Sequence, residues 1–584
     1  MSAIIGLNLF HGDSSACLVL DGKLVAAAEE ERFKRIKHWA GFPLESIKYC
    51  LKEGDIDINS INHIAINSDP KVHALKKIIF TLKNKPDPKF IIDRIKNKKS
   101  RMSIEALISE SFPAHSFEGK IHNIEHHLCH LASSYFVSPF ENSVAISVDG
   151  FGDFTSSAWG LCEGNNISLD DRIFFPHSLG IFYQAMTQFL GFPHYGDEYK
   201  VMGMAAYGES KFHEKMKDII SYDSSGKFKL NLDYFIHHKT KVDYQWADGS
   251  PTIGTLFDES KLESLLGIKL RKKNEKLEQI HFDIAHSIQS IYEEVFFNIL
   301  NANHVKYMND NLSLAGGCAM NSLANGKIFR KSEFKNVYIQ SAAGDAGGAI
   351  GAAYIVAAEN DEIKEKYQME HAFYGPSYGN TYHEDLLKLH SDQLPLEKFQ
   401  IKRVDDDMEL CRTTAEAISK GHVIGWFQGR MEWGPRALGN RSILCDPRRS
   451  DIREILNLKI KRRESFRPFA PAILKEEVKN WFTEDYPVPF MMQVFEIQEN
   501  KHKIIPAVTH ADGTGRLQTV DKKTNLMYYN LISEFKEITG VPIVLNTSFN
   551  ENEPVVCKPE EALNTFLRTK MDLLVLGNWM VYRS

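Results

Sequence analysis

The sequence predicts an α/β protein, α+β overall, in which a duplicated domain precedes a second, basic α/β domain. A strand, a polar loop and a returning hairpin follow residue 4, and the same pattern returns from residue 144. The composition changes near residue 395, beyond which arginine and lysine become frequent. With 584 residues, 43% hydrophobic and 25% charged, the chain is long enough for two or more globular domains.

The first copy of the repeated unit begins with an apolar strand at residues 4–8 and a polar loop at 11–15. Strands at 16–20 and 24–28 then flank Asp21-Gly22, which is typical of a type I′ hairpin turn. The second copy has a strand at 144–148, a loop at 149–153 and a returning strand at 155–161. Because backbone N–H groups in such loops can cradle an anion, two copies predict a duplicated phosphate-binding domain.

Two strand-to-helix junctions in the first domain are rich in glycine. One contains Gly316, Gly317 and Asn321, and the other spans residues 344–348. Glycines at a helix start let a ligand approach the backbone and the positive end of the helix dipole. Tight turns with close helix–sheet packing explain the same pattern equally well. Lys200 and Gly203 form a further glycine-punctuated stretch, in which the lysine either meets a phosphate or is solvated.

A metal site is predicted from two histidines four residues apart. His126 and His130 would lie on one face of a helix. Asp149 at a strand end can supply a third ligand, and Asp345 in the second glycine-rich junction a fourth. Nitrogen and oxygen ligands of this kind suit iron or zinc. The alternative, a pair of ordinary helical histidines, stays open at this point, and the metallopeptidase pattern H-E-x-x-H is absent here.

The second domain carries a concentration of positive charge. Between residues 421 and 470 there are 11 lysines and arginines against 5 acidic residues. Arg436, Arg467 and Arg516 lie in loops bounded by glycine or proline, which favours a closed anion pocket with bidentate guanidinium contacts. A solvated amphipathic helix over residues 450–463 would explain other basic residues there. The net charge of −6 argues against nucleic-acid binding by the whole chain.

Four strings in the second domain identify a resemblance that runs nearly end to end. The chain resembles the O-carbamoyltransferases of the NodU/CmcH type. The strings are WGPRALGNRS at 433–442, FRPFAP at 466–471, AVTHADGTGR at 507–516 and LNTSFN at 545–550. The resemblance implies a TsaD-like carbamoyl-transfer domain of the actin and hexokinase type over residues 1–375. It also implies a YrdC-like domain over residues 395–584.

The resemblance assigns roles to residues of both domains. In the YrdC-like domain, ATP and carbamoyl phosphate would give carbamoyladenylate. The TsaD-like domain would then pass the carbamoyl group to a hydroxyl of a sugar, a glycan or a natural product. The carbamoyl phosphate residues implied are Arg436, Lys461, Arg467, Arg516, Asn546 and, nearby, Ser548. His11 matches a family histidine that resembles a general base, a task suited to a side chain of near-neutral pKa.

The remaining roles concern the metal and the nucleotide. The resemblance implies a divalent metal, Fe²⁺, on His126, His130, Asp149 and Asp345, with Mg²⁺ accompanying ATP. The nucleotide-binding residues expected are Lys200, Gly203, Gly316, Gly317 and Asn321. After His11 the chain has Gly-Asp-Ser where several antibiotic-tailoring members have Asp-Ala-Ser, so Asp13 would orient His11 or contact the acceptor. The expected partners are therefore small molecules, and a homodimer is left open.

Other functions have features that discriminate them. A tRNA-modifying threonylcarbamoyl transferase shares the first domain but does not usually carry such a second one. A hydrogenase-maturation carbamoyltransferase has the opposite domain order and zinc-finger cysteine pairs, which are absent here. An ATP-dependent actin-like binding module leaves the arginines unexplained. The sequence shows neither a signal peptide nor an apolar stretch long enough to span a bilayer, so we expect a cytoplasmic protein without a membrane partner.

Overall fold

The structure, a computed structural model, describes residues 2–84, 103–245, 250–464 and 466–584. The chain divides into two compact units, Met1–Met369 and Glu370–Ser584. Residues 376–394, which the sequence left outside both predicted domains, carry a helix of the second unit, Asn380–Leu389. The predicted first domain, residues 1–375, ends close to this division, and the second unit begins before the predicted start at residue 395.

The first half of the first unit is a five-stranded sheet in the order β3-β2-β1-β4-β5. Its strands are β1 (Ala3–Asn8), β2 (Ser15–Leu20), β3 (Lys23–Glu29), β4 (His63–Ile66) and β5 (Lys120–Asn123). Its helices are α1 (Glu31–Lys34), α2 (Leu44–Glu53), α3 (Ala74–Asn84), α4 (Ile104–Ser111) and α5 (His126–Tyr135). β2 pairs antiparallel with its neighbours β1 and β3, whereas β1, β4 and β5 run parallel.

The second half repeats this sheet with the order β8-β7-β6-β13-β14. Its strands are β6 (Asn142–Gly152), β7 (Thr155–Glu163), β8 (Asn166–Phe174), β13 (Asn311–Ala315) and β14 (Asn336–Ile339). Again the first three strands form an antiparallel meander, and β6, β13 and β14 run parallel. Strand for strand, the two halves have one topology. The predicted fold class, α/β with a duplicated domain of the actin and hexokinase type, is therefore confirmed.

Further elements of the second half surround its sheet. The helices are α6 (Leu179–Phe189), α7 (Glu198–Ala205), α8 (His213–Lys217), α9 (Glu259–Leu266), α10 (Gln279–Tyr307), α11 (Ser322–Asn325), α12 (Ile328–Lys331) and α13 (Gly348–Glu359). Two small hairpin sheets comprise β9 (Ile220–Tyr222), β10 (Phe228–Leu230), β11 (Tyr244–Gln245) and β12 (Thr252–Ile253). Among the helices of the described residues, none combines the length and the apolar character that crossing a membrane requires.

Helices α5 and α13 follow equivalent strands, β5 and β14, and pack against each other. α13 is buried along its first ten residues, which is why its sequence is apolar on every side. The crossing is close because Gly351 has no side chain: a β-carbon built there would overlap the carbonyl oxygen of Cys129 in α5. Glycine at this position thus sets the spacing between the two halves.

The second unit is built on a nine-stranded mixed sheet, β15-β23-β22-β16-β17-β21-β18-β20-β19. Its strands are β15 (Phe399–Arg403), β16 (Ile424–Phe427), β17 (Arg441–Cys445), β18 (Ala470–Leu474), β19 (Gln493–Glu496), β20 (Thr514–Val520), β21 (Ile543–Ser548), β22 (Leu573–Leu576) and β23 (Trp579–Arg583). Its helices are α14 (Asn380–Leu389), α15 (Asp407–Ser419), α16 (Ile452–Ile455), α17 (Leu526–Thr539) and α18 (Pro559–Arg568).

The directions of the strands in this sheet place the ends of four strands at one edge. β17 and β18 each pair antiparallel with β21, while β18 and β20 run parallel. The starts of β17, β18 and β20 therefore lie at the same edge as the end of β21. Arg436 and Arg467 lie in the loops before β17 and β18, as the sequence predicts, whereas Arg516 lies in β20 itself and not in a loop.

Replacing Gly351 by alanine tests the close crossing of α5 and α13. In a helix interior this change ordinarily stabilises by about 1 kcal/mol. Here the added methyl group meets the backbone of Cys129, and overpacking of this kind costs about 1–3 kcal/mol. We expect a lower melting temperature for Gly351→Ala by thermal unfolding. Gly150→Ala, whose β-carbon would lie in open space, is the control, and equal melting temperatures would refute the close contact.

Candidate metal centre and arginine cluster

Four side chains from the two halves of the first unit converge on one point. His126 and His130 lie on the first two turns of α5, as the spacing of four predicts. Asp149 lies in β6, and Asp345 begins the 3₁₀ turn that leads into α13. One ligand atom from each of the four lies within 4.8 Å of the others. The first half supplies both imidazoles, and the second half supplies both carboxylates.

The contacts within this group are short. The two histidine Nε2 atoms are 3.0 Å apart. Asp149 Oδ2 lies 3.0 Å from Nε2 of His130 and 3.5 Å from Nε2 of His126. Asp345 Oδ1 lies 3.6 and 3.4 Å from the same two nitrogens. All four donors thus face a single small volume.

Surrounding residues fix the orientation of the ligands. The carbonyl oxygen of Asn67 lies 3.3 Å from Nδ1 of His126, which places the ring proton there and leaves the Nε2 lone pair facing the group. The Gly317 N–H donates to Asp149 Oδ1 over 2.9 Å. Asp153 accepts the His126 backbone N–H at the start of α5 over 3.0 Å. A buried set of two imidazoles and two carboxylates with these supports fits a divalent cation such as Fe²⁺ or Zn²⁺.

The charges of the group are strongly coupled. Burial alone would lower the pKa of His126, but hydrogen bonds to Asp149 and Asp345 outweigh it and raise that pKa well above its usual range. Burial would raise the pKa of Asp149, yet the two histidines hold it well below normal. By contrast, burial and the neighbouring imidazoles hold the pKa of His127 well below its usual value. His127 instead bonds Ser147 and Thr155 and is a structural residue.

His11 lies beside the ligand group. Its ring centroid is 6.2 Å from that of His126, with the rings edge to face. It occupies the loop after β1, which is equivalent to the loop after β6 that follows Asp149. Asp13, two residues on, pairs with His38 Nδ1 at 2.7 Å, a partner that the sequence did not suggest.

The residues predicted to bind a nucleotide lie in two neighbouring places, α7 and the junction after β13. Lys200 forms a 2.8 Å ion pair with Asp197 in α7, which also contains Gly203. Sulfur of Met202 in α7 lies 3.7 Å from the Ser322 hydroxyl, just beyond the junction. The two stretches are therefore adjacent in the fold.

Within the junction, the glycines also serve the fold. Gly316 has φ of 91°, and a β-carbon there would overlap the Val148 carbonyl oxygen. The Gly317 N–H is used by Asp149. Asn321 caps α11 by accepting from the Ala324 N–H and exchanges hydrogen bonds with Gln289. Close helix–sheet packing thus occurs here whether or not a nucleotide binds.

Four arginines of the second unit cluster at the shared sheet edge. Burial, together with the charges of Arg436, Arg463 and Arg467, holds the pKa of Arg516 well below its usual range. Arg467 has Glu464 as a counter-ion at 3.2 Å, and Arg463 bonds Asn457 at 2.9 Å. Within the described ranges, the guanidinium of Arg516 has neither a hydrogen bond nor an ion pair, and its Nε is shielded from solvent.

The other predicted carbamoyl phosphate residues flank the cluster. Asn546, 1% exposed, donates to the Ala437 carbonyl at 3.1 Å and to Gln518 at 2.8 Å. Lys461, also 1% exposed, directs its ammonium group at the Asn550 carbonyl and side-chain oxygens, at 2.8 and 2.7 Å, and at Ser548. Lys461 is thus bound to the end of β21 and the loop that follows it.

Several functional neighbours were missed by the sequence analysis. In the first unit they are Asn67, Asp153 and His38. In the second unit they are Arg463, Gln518 and His510. His510 stands in the string at 507–516, which already looked specific, so its sequence signal existed, whereas Arg463 lies just before the string at 466–471. Asn67 bears no such signal, because its role depends on the pairing of β4 beside β1.

Comparison with known proteins identifies the family. The family description "Carbamoyltransferase N-terminus" matches residues 3–354, and "Carbamoyltransferase C-terminus" matches residues 415–583. The chain belongs to the carbamoyltransferase family. It is 34% identical to nodulation protein NolNO of Sinorhizobium fredii, over 98% of this chain and 79% of that protein. The family membership predicted from the four sequence strings is confirmed, and the chain is a transferase enzyme.

Two further similarities are weaker: one covers only part of the sequence, and the other is a distant structural similarity. The chain is 33% identical to 3'-hydroxymethylcephem-O-carbamoyltransferase of Amycolatopsis lactamdurans, over 41% of this chain and 42% of that protein. HypF of T. kodakarensis matches with a TM-score of 0.32 and 14% identity, over 62% of this chain and 48% of that one. At that score the structural likeness carries no functional argument.

Removing one ligand tests the four-residue metal centre. We expect the protein, purified without chelator, to carry close to one divalent metal per chain. His130→Ala and Asp345→Asn should lose that metal, because each removes one of four converging donors. His115→Ala, at an exposed position in the same unit, is the control and should retain it. Elemental analysis decides, and a metal-free wild type would remove the site.

Proposed function

We propose that the protein is an O-carbamoyltransferase that uses ATP and carbamoyl phosphate in two half-reactions. In the second unit, water would release inorganic phosphate from carbamoyl phosphate, and the carbamate oxygen left behind would displace pyrophosphate from ATP to give carbamoyladenylate. The inputs are thus carbamoyl phosphate, ATP and one water molecule. In the first unit, the carbamoyl carbon would form a bond to an acceptor oxygen while its bond to the AMP phosphate oxygen breaks. The acceptor's hydroxyl proton leaves to a base, and AMP is released.

The observation that carries this proposal is the uncompensated charge of Arg516 among three other guanidinium groups. Concentrating buried positive charge without a partner is unfavourable, so such a cluster is built for an anion. Guanidinium forks match phosphate oxygens in bidentate geometry. In a carbamoyltransferase, the anion that best meets this description is carbamoyl phosphate.

The flanking residues fit the same ligand in different ways. Arg436, Arg467 and Arg516 would hold its phosphate group. Asn546 offers its Oδ1, which is buried and has no hydrogen-bond partner among the described residues. Lys461 would act mainly by positioning Ser548, since its ammonium group is occupied by protein acceptors.

The first unit would carry out the transfer. His126, His130, Asp149 and Asp345 would hold Fe²⁺, which when bound supplies Lewis-acid polarisation of a carbonyl or phosphate oxygen. His11, whose ring lies 6.2 Å from that of His126, would accept the hydroxyl proton of the acceptor. Lys200, Gly203, Gly316, Gly317 and Asn321 would line the nucleotide, with Mg²⁺ accompanying ATP.

The acceptor class is proposed only as a hydroxylated small molecule: a sugar, a glycan or a natural product. The relative named as a 3'-hydroxymethylcephem-O-carbamoyltransferase supports a hydroxyl acceptor. An ATP-dependent binding module of the actin type would leave the arginine cluster without a ligand. A tRNA-modifying transferase finds no support in the net charge of −6.

Arg467→Ala tests the first half-reaction. Loss of charged hydrogen bonds to the anion, about 1.5–3 kcal/mol each, should lower pyrophosphate release by at least about 10- to 100-fold. Arg467→Lys should restore it only in part, because lysine lacks the planar fork. The control is Arg412→Ala, an exposed arginine paired with Glu416 in α15. Pyrophosphate release from ATP and carbamoyl phosphate is the measurement, and wild-type release by Arg467→Ala would contradict the assignment.

His11→Ala separates the two half-reactions. It should still release pyrophosphate, since His11 belongs to the first unit and the arginines to the second. Transfer of the carbamoyl group from preformed carbamoyladenylate should fall by about 10²- to 10⁴-fold. Transfer by His11→Gln should be as slow if the imidazole acts as a base. A near-normal rate in His11→Gln, with an unchanged pH profile, would assign His11 a purely structural role.

A further inference from the structure

One face of β20 organises the arginine cluster. Thr514, Arg516 and Gln518 alternate along the strand, so their side chains share a face. Gln518 accepts from the Asn546 amide at 2.8 Å. Thr514 Oγ1 lies 3.1 Å from Nδ1 of His510. Arg516 therefore stands between two residues that anchor buried polar side chains.

The contacts of Thr514 fix the tautomer of His510. The Thr514 hydroxyl donates its single proton to Asp512 Oδ1 over 2.7 Å. Its oxygen must then accept at the contact with His510, so Nδ1 of the histidine carries the proton. His510 Nε2 is consequently an acceptor whose lone pair points away from Thr514.

That lone pair has no partner among the residues that the structure describes. His510 Nε2 is shielded from solvent and makes no hydrogen bond with any described residue. The imidazole stays neutral, because burial and then the charges of Arg516 and Arg453, against the opposing charge of Asp512, hold the pKa of His510 at about 4. Asn546 Oδ1, on the other side, is likewise a buried acceptor without a partner among those residues.

The arginines require an anion, whereas the two unpaired acceptors require donors. Acetyl phosphate offers only a methyl group where carbamoyl phosphate offers an N–H₂ group, and fully ionised phosphate has no donor. We propose that His510 is a specificity-determining residue whose Nε2 accepts a hydrogen bond from the amide N–H of carbamoyl phosphate. This inference rests on the proposed function of the arginine cluster and adds to it the means of recognising the carbamoyl group.

Two stable phosphonates that differ only in this group provide the test. Phosphonoacetamide carries the N–H₂ group, and acetonylphosphonate carries a methyl group in its place. Each is titrated calorimetrically into the full-length protein, with inorganic phosphate as a third ligand. Working at an alkaline pH, above the second ionisation of inorganic phosphate and of both phosphonates, reduces donation from P–OH groups. We expect the wild type to bind phosphonoacetamide at least about 10-fold more tightly than acetonylphosphonate, since a site left with an unpaired acceptor rejects the analogue.

His510→Phe should lower affinity for phosphonoacetamide by about 10- to 100-fold and leave affinity for inorganic phosphate unchanged. The two phosphonates should then bind equally. His510→Gln, which keeps an acceptor, should retain part of the preference. Thr514→Val removes the hydroxyl that fixes the His510 tautomer and leaves the imidazole ring in place. It should weaken the preference for phosphonoacetamide, and it provides a second test should His510→Phe fail to fold. His390→Phe, at the end of α14, is the matched control.

Equal binding of the two phosphonates by the wild type would overturn the proposal, as would a preference that survives in His510→Phe. A parallel loss of inorganic phosphate binding in His510→Phe would also overturn it, because the acceptor would then serve a P–OH group. A failure of the proposed function itself would give a different result. If inorganic phosphate does not bind the wild type, or binds Arg516→Ala equally well, the anion site itself is wrong.

Discussion

The close crossing of α5 and α13 is the constraint on which the metal centre depends. Two of the candidate ligands lie at or near the starts of these helices: His126 is the first residue of α5, and Asp345 begins the 3₁₀ turn that leads into α13. Because Gly351 lets the two backbones touch, groups from different halves of the duplicated fold come within 3.4 Å of each other. Neither half holds a complete set of ligands. Duplication thus gives a binding site through packing alone, and the supporting hydrogen bonds from Asn67 and Gly317 refine it.

The second unit contains a buried positive charge, that of Arg516, which has no counter-ion among the described residues. Arg441 shows that this fold can satisfy a buried arginine: it is fully buried, donates to four carbonyl oxygens and lies 3.6 Å from the Phe427 ring centroid. Arg516 receives no comparable support among the described residues, and three further guanidinium groups surround it. This contrast between a satisfied and an unsatisfied buried arginine occurs within one edge of the same sheet. Unbalanced buried charge of this kind is typical of functional sites.

Much of the fold and of the candidate sites could be predicted from the sequence. The paired strand–loop–hairpin units were readable because alternation and hairpin turns are local signals, and the ligand residues stood at strand ends and helix starts. Lys461 shows what could not be read. Its acceptors on Ser548 and Asn550 lie almost ninety residues further along the chain, a separation that no local sequence signal reports. The glycines at 316 and 317 allowed two interpretations, and the contacts with Val148 and Asp149 show the packing role directly.

The choice of arginine around the anion also bears on chemical self-protection. An amine is a nucleophile once it loses its proton, and a lysine facing an activated carbamoyl group would be acylated by it. A guanidinium group loses its proton less readily than an ammonium group and delocalises its charge, so it is the poorer nucleophile. The one lysine of the predicted set, Lys461, keeps its ammonium group within hydrogen bonds to oxygens of Ser548 and Asn550. If carbamoyladenylate forms there as proposed, arginines would hold this intermediate without being modified by it.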